Sequence, residues 1–378
     1  MCLKENFMSL THRERVQAAL NHEIPDRCPM QICFTPEFNR RLSEYYRNKC
    51  TNDTYSGEEE GEINLDLEFL TNQDMLLSWV GWKDETKITY TPGEEFYDKW
   101  GVLRKATEYS TPFGKGIYTE LVGHPLADES KITSYKCPDP NLPELYTGVE
   151  SLIRKYKKEY WIVGVAVTTM YETAWALRGF EQMFIDFITN PDLVNTIFDM
   201  TLNYHYTIAK NLVNRGVDMI WIGDDVGAQN RMLISPELWR KYFKSKMEVF
   251  ISSLKKINPE LKIAYHSDGY IVPIIPELIE IGIDILNPIQ PRSMDPVEIK
   301  KKFGDKLCLW GTIDEQHTLP FTNPETVRNE IAERIRTVGR DGGLILSPTH
   351  NIQLDTPLEN FFAMIDAIKQ PYRGYLTP

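Results

Sequence analysis

Five apolar runs in this chain end in a polar tip immediately before a loop: VDMIWIGDD, LKIAYHSDG, IDILNPIQ, LCLWGTIDE and GLILSPTH. Short, nearly continuous apolar runs of this kind predict strands buried on both faces. Their tips collect Asp224, Asp225, His266, Asp268, Asn287, Gln290, Asp314 and His350. Parallel strands closed into a (β/α)₈ barrel would set such side chains on one rim, the face where enzymes of this architecture do their chemistry. The expected fold is therefore α/β, a single TIM-like barrel.

The segments between the runs support that expectation. Helices are predicted to open with a cap residue followed by proline, at Asn190-Pro191, Ser235-Pro236, Asp295-Pro296, Asn323-Pro324 and Thr356-Pro357. The cap side chain satisfies a free backbone N–H, and proline at the first helical position lacks a donor that would be orphaned anyway. Asp295-x-x-Glu298 and Thr356-x-x-Glu359 resemble capping boxes, and Gly216, Gly282, Gly304 and Gly339 stand where helices should stop. WIVGVAVTT (Trp161–Thr169) and CPMQICF (Cys28–Phe34) read as two further strands, which makes seven. Thr11-x-x-Glu14 predicts an N-terminal helix reaching about Asn21. A hairpin insertion is expected at about 84–119 and an exposed acidic excursion at Cys50–Glu62, within one domain spanning residues 1–378. A doubly wound open sheet is disfavoured, because no glycine-rich dinucleotide fingerprint follows any strand.

Charge and composition narrow the function. A net charge of −12 argues against nucleic acid, which needs a basic face. It also disfavours a polyanionic substrate unless arginines cluster locally. No window reaches the length of a membrane span, and the start MCLKENFMSL lacks an apolar signal core, so a cytoplasmic location is expected. The six cysteines form no CxxC pair, which speaks against a disulfide framework or a cysteine-rich zinc knuckle. Homo-oligomerisation is compatible with all of this.

THRERVQAALNHEIPDRCPM near the start is similar to the opening of the uroporphyrinogen decarboxylase superfamily, as is GIDILNPIQ…LWGTID…SPTHNIQLDTPLENFFAMIDAI toward the end. The resemblance covers nearly the whole chain and is most specific from about Asp218 to Ile368. It implies a barrel with a cleft at the strand C-termini. The superfamily contains porphyrinogen decarboxylases and corrinoid-dependent methyltransferases, and the residues resemble the second branch more closely. A decarboxylase grips its polycarboxylated substrate with an arginine-rich segment after the first strand. Here that position reads QICFTPEFNRR, with only Arg40 and Arg41 further along. Asp74, in QDMLLSWVGW, is a loose counterpart of the decarboxylase's catalytic aspartate, and His350 matches that family's late histidine.

The methyltransferase branch binds zinc through a His-x-Cys pair and a later cysteine. The matching positions are His266 and Asp268, and His350, so the resemblance implies a site for zinc or another divalent metal in which both thiolates are replaced by harder ligands. Asp224 and Asp225, with Tyr171 and Glu172 just after VGVAVTT, are the candidate catalytic residues, although an acid there can equally cap a turn or helix. Asn287, Gln290, Asp314, Asn351 and Gln353 are candidate substrate hydrogen-bonders, with an Asx-turn the bland alternative for Asp314. Metal-assisted methyl transfer follows as the expected function, between a small methylated molecule, an O-methyl compound being favoured, and a corrinoid carried by a partner protein. The rivals are a uroporphyrinogen decarboxylase-like carboxy-lyase and a barrel that binds a ligand without turnover.

Overall fold

A computed structural model describes residues 9–49, 66–81 and 90–376. The excursion expected at Cys50–Glu62 lies outside them, as does the start of the expected insertion. Among the described residues the strands are β1 (Met75–Ser78), β2 (Glu95–Tyr97), β3 (Leu103–Thr111), β4 (Gly114–Gly123), β5 (Trp161–Val165), β6 (Met219–Gly223), β7 (Lys262–His266), β8 (Ile285–Asn287), β9 (Cys308–Trp310) and β10 (Leu344–Ile345). One sheet runs β1-β5-β6-β7-β8-β9-β10 and every pairing in it is parallel.

Chain 29–34 closes the ring between its two ends. Leu346 N donates to Pro29 O at 2.9 Å and Gln31 N to Leu346 O at 3.2 Å, while Asp74 N donates to Met30 O at 2.9 Å on the other side. The expected strand CPMQICF thus holds the eighth position without a regular ladder. Its irregularity has a local cause: Pro29 has no N–H, and Ile32 N donates to the side-chain Oε1 of Gln73 at 2.7 Å instead of to backbone. Strand β1 was not among the seven expected strands. Its four residues, MLLS, continue without punctuation into WVGW, so periodicity gives them no boundary.

Side chains alternate between two cores, as a period of two demands. Trp161, Val163, Val165, Met219, Trp221, Ala264, Ile285, Cys308, Trp310 and Ile345 fill the barrel interior. The residues between them, such as Ile162, Ile220, Ile222, Tyr265, Leu286 and Leu309, pack against the surrounding helices. Each fully buried aliphatic side chain of this kind contributes about 1.5–3 kcal/mol. The same alternation turns His266 and Asn287, at the ends of β7 and β8, toward the barrel axis.

The N-terminal helix His12–Leu20 plugs the opposite end, with Val16, Ala19 and Leu20 joining the interior core. Its capping box forms as expected: Thr11 Oγ1 accepts from Glu14 N, and Glu14 Oε2 accepts from Thr11 N at 2.8 Å. Asn190, Ser235, Asp295 and Asn323 also cap their helices through their side chains. Thr356 does not. Pro357 itself takes the cap position of the helix Leu358–Ile368, in extended conformation, and the Thr356 hydroxyl is buried without a hydrogen bond. The insertion is a three-stranded antiparallel meander, β2-β3-β4, longer than the expected hairpin and reaching Gly123. Trp100 anchors it edge-on to Tyr204, with ring centroids 4.6 Å apart. Among the described residues no helix is long and apolar enough to cross a membrane.

Candidate active site

A belt of hydrogen bonds links successive strand tips around the C-terminal rim. Glu172 Oε2, on the helix after β5, accepts from Asp225 N at 3.3 Å, and Asp225 Oδ1 accepts from Asp268 N at 2.7 Å. Gly269 N then donates to Gln290 Oε1 at 2.8 Å. Each polar tip therefore takes the backbone N–H of a neighbouring tip, and loops after β5 to β8 are held in one arrangement. Glycine makes the close approach between two of them feasible. Gly223 has φ +152°, and a Cβ there would lie 2.0 Å from His266 O.

Within this belt Asp225, His266 and Asp268 converge. One ligand atom from each lies within 4.8 Å of the others, and this is the only such group of three among the described residues. His266 Nε2 is 3.7 Å from Asp225 Oδ1 and 3.9 Å from Asp268 Oδ1. These separations are too long for hydrogen bonds and leave space between the three groups. Asp268 Oδ1 is buried with no hydrogen-bond partner, an atom that a cation would satisfy. Below the cluster, Trp221 stands edge-on to His266 at 5.5 Å and to Trp79 at 6.2 Å. Trp79 is 53% exposed, which makes it an aromatic wall of the mouth that no sequence signal had set apart from its apolar run.

The acids here are crowded and partly desolvated. Burial first, then the charges of Asp225 and Asp224, push the Glu172 carboxyl up to about 9. Burial lifts Asp224 to about 7 against the opposing pull of backbone N–H donors. Asp268 is raised as well, by burial and by Asp225, although the histidines at 266 and 350 draw it back. Burial and neighbouring negative charge thus favour the protonated form of Glu172 beside the open carboxylate group.

The expected residues sort into distinct places. Asp225, His266 and Asp268 meet; His350, exposed on the segment after β10, lies outside this group of three but near enough for its charge to act on Asp268. Asp225 thus offers a carboxylate beside two of the three ligands that the resemblance implied. Asp224 is buried and accepts from Met170 N at 2.9 Å and Glu172 N at 3.0 Å, so it caps the helix Tyr171–Arg178. Tyr171 is fully buried against Phe187 and Phe243, with its hydroxyl lacking a hydrogen-bond partner. Asp314 accepts from Gln316 N at 2.8 Å and His317 N at 3.0 Å and pairs with Arg292, which is the turn-forming alternative. The Gln290 side chain is engaged in the belt, Asn351 is half-buried, and Gln353 is exposed.

Asp74 lies at the opposite end of the barrel, before the first residue of β1. Its Oδ1 accepts from His12, Arg15 and Arg27 at 2.7–2.8 Å, and its Oδ2 from Arg27 at 2.7 Å and Met30 N at 2.9 Å. It is a structural carboxylate and not a counterpart of a catalytic aspartate. Arg41 is also occupied, donating to Thr356 O at 2.9 Å and lying over the Phe113 ring.

An eight-position parallel barrel with its polar cluster at the strand C-termini defines a (β/α)₈ protein of the enzyme type. The uroporphyrinogen decarboxylase (URO-D) family matches residues 109–371, and the chain belongs to that family. Among curated relatives, a uroporphyrinogen decarboxylase of Trichodesmium erythraeum is 22% identical over 247 residues, covering 64% of this chain and 67% of its own length. A second, of Methylobacillus flagellatus, is 24% identical over 308 residues, covering 75% and 82%. A methyltransferase from Methanosarcina mazei shares the fold at a TM-score of 0.65 with 20% identity, over 95% of this chain and 98% of that one.

Proposed function

We propose that this protein is a methyltransferase that moves a methyl group between a small methylated molecule and a corrinoid carried by a partner protein. The observation that carries this reading is the Asp225–His266–Asp268 group with its unpartnered buried oxygen, at the rim where barrel enzymes react. The full-length likeness to a chain named as a methyltransferase supports it.

These three residues would hold zinc or another divalent cation. One imidazole and two carboxylates form a harder donor set than the thiolate-containing site the resemblance suggested, so a metal that favours oxygen ligands fits as well as zinc. When bound, such a metal supplies Lewis acidity toward a heteroatom of the substrate. The chain's own residues would do the rest. Glu172, whose carboxyl is pushed up by burial and by the neighbouring acids, would be the group that gives a proton to a leaving oxygen or nitrogen. Asp224 fixes Glu172 by binding its backbone N–H, and Trp79 and Trp221 wall the approach. An O-methyl compound suits this hard, proton-bearing site best.

The decarboxylase alternative has the curated relatives in its favour. Against it stand the engagement of Arg41 with Thr356 O and of Arg292 with Asp314, the structural role of Asp74, and a site whose acids would repel a polycarboxylate. The test is metal analysis and methyl transfer to a corrinoid protein. Protein purified without chelator should carry about one divalent ion, and His266→Ala should lose both the ion and the transfer. Stoichiometric metal absent from wild type, or transfer undiminished in the variant, would sink the proposal.

A further inference from the structure

We propose that Asn287 is a positioning residue that dictates which nitrogen of His266 carries the proton, presetting Nε2 as a ligand; this rests on the metal-site reading above. Asn287 is 5% exposed at the end of β8. Its Nδ2 donates to Trp310 O at 3.1 Å, which orients the amide. Gly311, with φ +86°, leaves room for that approach, since a Cβ there would stand 3.3 Å from Nδ2. The amide oxygen is then turned to His266 Nδ1 at 2.7 Å. A carbonyl oxygen only accepts, so Nδ1 must be the N–H, and in a neutral imidazole the lone pair is left on Nε2. Nε2 is the nitrogen facing Asp225 and Asp268.

The tether works against the local field. Two carboxylates facing an imidazole nitrogen favour a proton on it, so without Asn287 the neutral ring should carry its hydrogen on Nε2, where it would block a metal. A histidine ligand held by a partner on its far nitrogen gains affinity through that partner. Asn287 was expected to bind substrate; both ends of its amide are instead committed to Trp310 and His266.

Two readouts separate the tether from the metal. In full-length, metal-stripped protein labelled with ¹⁵N-histidine, at alkaline pH, long-range ¹H–¹⁵N spectra report the tautomer, with His266→Gln identifying the signal. Wild type should show a protonated Nδ1. Asn287→Leu, which cannot accept, should move the proton to Nε2, and Asn287→Asp, which can, should leave it on Nδ1. Co²⁺ titration followed by its absorption should then show affinity about 10–100-fold weaker in Asn287→Leu and restored toward wild type in Asn287→Asp. A protonated Nε2 in wild type overturns the proposal whether or not any variant folds, as does a leucine variant with unchanged tautomer and affinity. Correct tautomers with no Co²⁺ bound to wild type would overturn the metal reading and the ligand-presetting role, leaving only the hydrogen-bond tether.

Discussion

Each end of the barrel holds a cluster of acids, and the two clusters are built on opposite principles. At the N-terminal end, Asp74 meets His12, Arg15 and Arg27 and a backbone N–H, and these partners outweigh burial to hold its carboxyl below the ordinary aspartate range. Arg13 closes the same end with paired bonds to Asp218 at 2.7 and 2.8 Å. At the C-terminal end, Glu172, Asp224, Asp225 and Asp268 lie together with no lysine or arginine ion pair among the described residues, and burial raises Glu172, Asp224 and Asp268. Neutralised charge holds the floor of the barrel shut. Uncompensated charge leaves the mouth ready for a cation or a proton transfer. The division follows the general assignment of stability to one face of such barrels and chemistry to the other.

Substitutions can break this contrast from either side. Asp74→Asn should be the most damaging, because it leaves Arg27 buried without its carboxylate and Arg15 with Asp26 alone; a loss of about 3–5 kcal/mol is expected in urea unfolding, with metal affinity unchanged in the folded fraction. Asp268→Ala should do the reverse. Removing one of three ligands should weaken divalent-metal binding by about 100-fold or more in calorimetric titration, while unfolding of the metal-free protein hardly changes or shifts toward greater stability.

The pH dependence should separate the ends as well. Asp74 has a depressed folded-state pKa, so its contribution is present above the unfolded value of about 3.9 and is lost as pH falls through the folded one. Glu172 behaves oppositely. Its folded pKa of about 9 means that the native state keeps a proton the unfolded chain has released, so stability declines as pH rises from about 4.3 toward 9. Melting of chelator-treated protein between about pH 5 and pH 8.5 should show that decline, and Glu172→Gln should flatten it. The smallest effect belongs to the plug helix: Thr11→Ala removes a capping box and should cost about 1 kcal/mol without touching the mouth.

Much of the architecture is legible in local pattern. Apolar runs, their polar ends and four of the five cap–proline pairs report it directly, because period and capping depend on residues within a few positions of one another. Strand β1 and the irregular closing segment escaped that pattern, one for want of a boundary and the other because a side chain from Gln73 replaces a ladder bond. The rim was legible as a set of residues and not as a set of partners. Asp224 and Asp225 are adjacent in sequence, yet one caps a helix and the other faces His266. Alternation turns neighbouring side chains to different surroundings, and nothing in the dipeptide says what those surroundings contain.

The sequence by itself determined the barrel, the face that carries the polar tips and the membership of His266 and Asp268 in that face, since each follows from short-range periodicity. Only the tertiary structure decided that Asp225 faces His266 and Asp268, that Asp74 belongs to the floor and that Asn287 holds His266. Those facts depend on distances between residues far apart in the chain, such as the 2.8 Å between His12 and Asp74, 62 positions apart, or the 2.7 Å between His266 and Asn287, 21 apart. Closing the sheet on itself sets these distances, and no local preference of the chain encodes them.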